Sequence, residues 1–145
     1  MIKKLKITLI TLFILNLFNL VNAQEDFFTK AQKKYNEKNF QDSKFLFQRN
    51  IVFNPKDAKS YLYLAKIYNV EENQREEEKN LNTTLLLQPN NEEAMSMLIN
   101  VELKKSNYSK VRELTKSFEL ICSKLCKDLK KIKKNLKDIE PKNDS

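Results

Sequence analysis

The chain has no glycine and no histidine, and only three prolines and two cysteines in 145 residues. Without glycine, type I′ and II′ hairpin turns, phosphate-cradling loops and left-handed helix caps are hard to build. That weighs against an all-β protein and against a nucleotide-binding fold. Without histidine the commonest general base and the commonest zinc ligand are gone, and no Ser-His or Cys-His nucleophile can be assembled. What is there, dominated by Leu, Lys, Glu, Gln and Asn, is a helix-forming composition. The length fits one domain and is too short for two ordinary ones.

The N-terminus reads as a separate object. Lys3, Lys4 and Lys6 precede the apolar run ITLITLFILNLFNL, and Val21 and Ala23 precede the polar QED. Basic, apolar and small-residue regions in that order are those of a secretory signal peptide, residues 1–23, with cleavage near Ala23. The alternative is an uncleaved membrane anchor, for which the apolar run is short. No cysteine lies near the cleavage site, so a lipoprotein is not indicated. Export leads to the periplasm or the outside of a bacterial cell, where nucleic acid is seldom met and disulfides persist. Removing three lysines lowers the formal charge from +8 to about +5.

Pro55 ends RNIVFNPKDA and Pro89 ends TLLLQPNNEEA, 34 residues apart. Each proline follows an apolar run and precedes a new amphipathic stretch. A 34-residue period with two helices per unit marks a helical repeat. In YLYLAKIYN, residues Tyr61, Leu64, Ala65 and Tyr68 share one helical face, while Leu62 and Tyr63 extend the apolar surface beyond it. A helix apolar on two faces packs on two neighbours, as in a stacked solenoid. Asn91 is placed to cap the helix after Pro89, with acids in its first turn.

On these residues, 58–91 resembles a tetratricopeptide repeat. Tyr61 takes the first large position, Leu64 and Ala65 the Leu-Gly pair, Tyr68 the tyrosine, Leu81 the late aromatic and Pro89 the proline. Glu77 stands where a small alanine is usual. Residues 24–57 form an earlier unit through Phe27, Ala31, Phe40, Phe47 and Pro55. Residues 92–121 form a degenerate third through Met95, Leu98, Tyr108 and Val111. The resemblance implies an all-α fold: an α-α superhelix of about three helix-turn-helix units plus a C-terminal capping helix, 122–139, and a tail, 140–145.

From Leu120, the residues Ile121, Leu125, Leu129, Ile132, Leu136 and Ile139 predict one apolar stripe on one long helix, lysines elsewhere. It reads as a cap over the last repeat. The competing reading is a basic amphipathic helix on an anionic membrane, and a coiled-coil partner is a third. Cys122 and Cys126, four apart, would share a helix face. They are core thiols, a strained disulfide or an intermolecular bond. Two thiols without histidine do not make a metal site.

No catalytic constellation is found, and neither an enzyme nor a cofactor is expected. The acids between Glu71 and Glu78 alternate with Arg and Lys at helical spacing and read as a solvated face. What remains is surface. The resemblance implies a concave groove for a protein or peptide, lined by first helices: Gln32, Tyr35, Lys59, Leu62, Tyr63, Lys66, Asn69, Asn100 and Lys104, with Phe28, Asn36, Val70, Glu93, Ser96 and Met97 at neighbouring positions. Leu62, Tyr63 and Met97 could instead be core. The family's clamp for a peptide carboxylate is not supported, because Gln32 and Lys66 stand where its asparagines would be. The expected function is an exported, non-catalytic adaptor or scaffold, and the runner-up is a membrane-associated envelope assembly factor. Self-association is compatible with three repeats, near the minimum for a stack.

Overall fold

The computed structural model describes residues 27–139. The leader expected over residues 1–23 and the tail over 140–145 lie outside the described residues. Every described element is a helix or a turn. Helix α1 covers 27–36, followed by α2 (Phe40–Phe53), α3 (Ala58–Val70), α4 (Gln74–Leu87), α5 (Glu92–Lys104), α6 (Tyr108–Ile121) and α7 (Cys126–Ile139). The chain divides into two compact units, up to Ser60 and from Tyr61.

In the first unit, α1 and α2 form a helical hairpin. Phe47 and Ala31 are fully buried, and the Phe28 ring meets Phe47 edge-on at 5.6 Å. Ser43, small enough to let the helices approach, donates its hydroxyl to the Ala31 carbonyl at 2.9 Å. Phe27 stacks on Phe53, with the Arg49 guanidinium 5.0 Å from the Phe27 ring.

In the second unit, α5 packs against α4 and α6, and α6 against α7. One core runs through it. Leu62, Ala65, Leu81, Leu98, Ile99, Val101, Val111 and Phe118 are joined there by Leu129, Ile132 and Leu136 of α7.

The hairpin turns have a common form that the composition seemed to forbid. Lys38, Glu72 and Ser106 take positive φ, at 59°, 56° and 57°. Each is followed by an asparagine, Asn39, Asn73 or Asn107, which caps the next helix through its side chain. Residues 38, 72 and 106 recur every 34 positions, as do the asparagines. In the middle turn the Glu72 N–H donates to Asn69 O and the Asn73 N–H to Tyr68 O. The other two turns repeat this pair, which satisfies the last carbonyls of the first helix. Left-handed caps are therefore present without glycine. The strain of each non-glycine residue, on the order of 1 kcal/mol, is offset by two backbone hydrogen bonds and a cap.

The expected long helix from Leu120 is not formed. Helix α6 ends at Ile121, Cys122 takes an extended conformation (φ −66°, ψ 132°), and α7 begins at Cys126. Cys122 and Cys126 therefore do not share a helix face; they are disulfide-bonded across the break, their Cα atoms 5.2 Å apart. The apolar stripe continues across the break because the four-residue connector keeps Leu125 and Leu129 on the core side.

Candidate protein-binding groove

The third corner, residues 122–125, falls 34 positions after Gln88–Asn91, which itself follows Asn54–Asp57 by 34. Helix α7 thus begins where a further first helix belongs, and it faces α5 across a groove. The cavity there, about 810 Å³, is lined by Gln88, Asn90, Asn91, Glu92, Glu93, Ser96 and Met97 on one side and by Ser123, Lys124, Leu125 and Asp128 on the other. Ser96 and Asp128 also line a second hollow of about 170 Å³, with Asn100, Lys131, Ile132 and Asn135. The two run on along α5 and α7. Met97, Leu125 and Ile132 give this trough apolar ground, and amide and hydroxyl side chains give it donors and acceptors.

One carboxylate builds its wall. Glu92 accepts from Ser123 Oγ at 2.7 Å, from the Lys124 N–H at 3.0 Å and from the Leu125 N–H at 2.8 Å. These bonds, the Ser123 hydroxyl first, hold the carboxyl down at about 2. Glu92 therefore stays ionised through neutral and mildly acidic pH and serves the connector as a cap borrowed from another helix.

The expected groove residues fall in several places. Gln32, Tyr35 and Lys59 belong to the first unit, with Tyr35 edge-on to Phe40 at 5.6 Å and Lys59 exposed. Leu62 is in the core, which removes it as an open contact. Tyr63 is half-buried beneath Lys66, whose ammonium lies 4.9 Å from the ring. Lys66 also pairs with Glu93 at 2.7 Å. Of the neighbouring positions, Glu93, Ser96 and Met97 line the large cavity. Asn100 lines the second hollow.

Asn69 and Lys104 meet elsewhere, around Glu77, in a recess of about 250 Å³ shared with Glu72 and Gln74. Glu77, only 3% exposed, accepts from the Asn69 amide at 2.9 Å. Burial raises its carboxyl above the ordinary value, against the Asn69 bond and the charge of Lys104. Glu102, at the third unit's tyrosine position, is also buried. Burial opposes its ionised form, but bonds from Lys105 and Asn107 prevail and hold it below its ordinary value. Among the described residues no group of histidine, cysteine and acid side chains is placed to hold a metal.

Sequence reasoning missed the α7 side of the groove, namely Ser123, Lys124, Asp128 and Asn135. The available signal was the 34-residue count beyond Asn91, which marks Leu125 as a helix boundary even without proline.

No family model matches this sequence, and no curated protein does. Solved structures do. The chain is similar to the Sgt2 TPR domain from Aspergillus fumigatus, with a TM-score of 0.67, 13% identity and coverage of 84% of this chain and 87% of that one. It is similar to the TPR2B domain of yeast Sti1, solved as a complex with pHsp70, with a TM-score of 0.70, 12% identity and coverage of 81% and 98%. It is also similar to the type III secretion translocator chaperone SycD from Yersinia enterocolitica, with a TM-score of 0.71, 15% identity and coverage of 80% and 92%. At such identities the likeness is one of fold, that of tetratricopeptide-repeat (TPR) domains.

Proposed function

We propose that this chain, which has the tetratricopeptide-repeat fold, is a non-catalytic scaffold that binds a segment of another protein in the groove between α5 and α7. The observation that carries the reading is the cavity of about 810 Å³ with its continuation along α5. Its mixed lining suits an extended or helical peptide. Met97 and Leu125 would take an apolar side chain, while Asn90, Asn91 and Ser96 would meet backbone groups. The yeast Sti1 domain, similar in fold, is solved with pHsp70, which supports a protein ligand. Lys66 is committed to Glu93 and Tyr63, so an acidic chain end is not the ligand this groove favours.

The leader-like sequence supports export, with release near Ala23 into the periplasm or beyond. Among the described residues no helix is long and apolar enough to cross a membrane. The competing reading, an envelope assembly factor resting α7 on a bilayer, gains nothing from the geometry. Leu129, Ile132 and Leu136 are already buried, and what α7 turns outward is lysine apart from Asn135.

Affinity capture from the native envelope tests the proposal. Wild type should retain a partner that Met97→Glu and Asp128→Lys lose, while Lys79→Glu, on the outer face of α4, should retain it. Equal capture by all four chains would remove the α5–α7 groove as the binding site.

A further inference from the structure

The groove has one wall that can be chemically undone. The Cys122–Cys126 disulfide closes residues 123–125 into a short ring. All three ring residues line the large cavity, and all three are held by Glu92. Glu92 opens α5, the opposite wall. The covalent tie and the carboxylate thus fix the same three residues, one along the connector and one across the groove.

We infer that this disulfide is a redox latch on the groove: closed, it holds residues 123–125 as a fixed wall; reduced, it lets that wall loosen and weakens binding. The inference rests on the groove reading above. The reductant is a dithiol. One of its thiolates attacks a cysteine sulfur and breaks the S–S bond, and the departing cysteine thiolate takes up a proton. The reductant's second thiol then displaces the other cysteine. Two electrons and two protons pass to the chain, which gains two thiols, and the reductant leaves as its own disulfide. Both cysteines are half-buried rather than enclosed, so a small dithiol can reach them.

The effect stays local for a structural reason. This corner has neither a proline nor a capping side chain of its own, so once the bond is gone it keeps Glu92 and the partial packing of Cys122 and Leu125 on the core. Helix α7 keeps its separate hold through Leu129, Ile132 and Leu136 in the core. Reduction therefore frees the wall without unfolding the unit, an opening of the local kind.

Hydrogen exchange on the full chain, oxidised and then reduced with dithiothreitol, reads the latch directly. The Lys124 and Leu125 amides should exchange roughly tenfold faster or more on reduction, while those of Leu98 and Phe118, which open only with the whole unit, stay strongly protected. Equal protection in both states overturns the latch. A second arm uses peptides selected from a random display library on the oxidised chain. Their affinity should fall about tenfold on reduction, and the chain with both Cys122→Ser and Cys126→Ser should bind as the reduced form does, indifferent to dithiothreitol. Unchanged affinity on reduction overturns the latch while leaving the groove standing. A library that yields no binder overturns the groove reading, and the exchange arm then decides alone whether the wall responds to redox state.

Discussion

Three corners connect successive helix pairs, at residues 54–57, 88–91 and 122–125, and the third is made differently from the first two. At the first, Asn54 leaves the helical region (φ −132°, ψ 78°) ahead of Pro55, and Asp57 caps α3. Asp57 also accepts from the Asn50 amide at 2.8 Å and the Ser60 hydroxyl at 2.6 Å, which brings the two helix ends together. At the second, Gln88 leaves the helical region (φ −141°, ψ 80°) ahead of Pro89 and Asn91 caps α5. Both corners are written in residues next to the bend, because proline disfavours helix in the residue before it and Asp or Asn satisfies the first free N–H groups. The third has Ser123 in place of proline and Leu125 in place of the cap. Its bend is held instead by a bond between its own ends and by Glu92, more than thirty residues earlier in the chain. A repeat frame can thus keep its spacing while the forces at one joint pass from local to distant residues.

The strongest way to break the comparison is to ask whether α7 is part of the repeat core or an appendage. Ile132 sits 34 positions after Leu98, and both are buried. Ile132→Ala and Leu98→Ala should each cost about 2–5 kcal/mol in denaturant unfolding, because both leave a cavity in one core. A cost below about 1 kcal/mol at Ile132 alone would make α7 an appendage.

The two kinds of joint can next be weighed against each other. Replacing both cysteines by serine should lower stability by about 2 kcal/mol, the entropy of a short closed ring. Asn91→Ala, at a local corner, should cost about 1 kcal/mol by the same measurement. In the hairpin turns, Ser106→Gly should raise stability by about half a kcal/mol, because glycine enters the left-handed region without strain.

The least global effect is expected from pH, but its sign is defined. The Glu92 carboxyl is depressed from 4.5 to about 2. Its hold on the connector is complete above the ordinary value and fades as pH falls through that window. The Leu125 amide should lose protection between about pH 4.5 and 2. The Ala94 amide, which donates to the non-titrating Asn91 side chain at 2.9 Å, should keep its own.

What was legible in the sequence follows the same division. Pro55 and Pro89 show the period, and the face of Tyr61, Leu64, Ala65 and Tyr68 shows the helix. The third corner was hidden because nothing near it forbids a helix. A spacing of four between cysteines is one helical turn as readily as a bend, and the apolar stripe keeps its spacing through 121–139 either way. The hairpin turns were half legible. No glycine announces the left-handed residues, yet asparagines at 39, 73 and 107 repeat the 34-residue period and would have located all three. On the groove, Asn100, Ser96 and Met97 could be placed from register. That Lys66 is spoken for by Glu93 depends on side-chain geometry across two helices, which no spacing rule supplies.

The groove, its wall and the latch all require that α7 fold back on α6 at residues 122–125. A distance between site-specific spin labels at the exposed positions Lys116 and Lys134, measured on the oxidised chain, tests this most directly. Folded back, the two backbones should lie roughly 10–15 Å apart, as packed antiparallel helices do. A separation near 27 Å, the span of one continuous helix at about 1.5 Å per residue, would contradict the account.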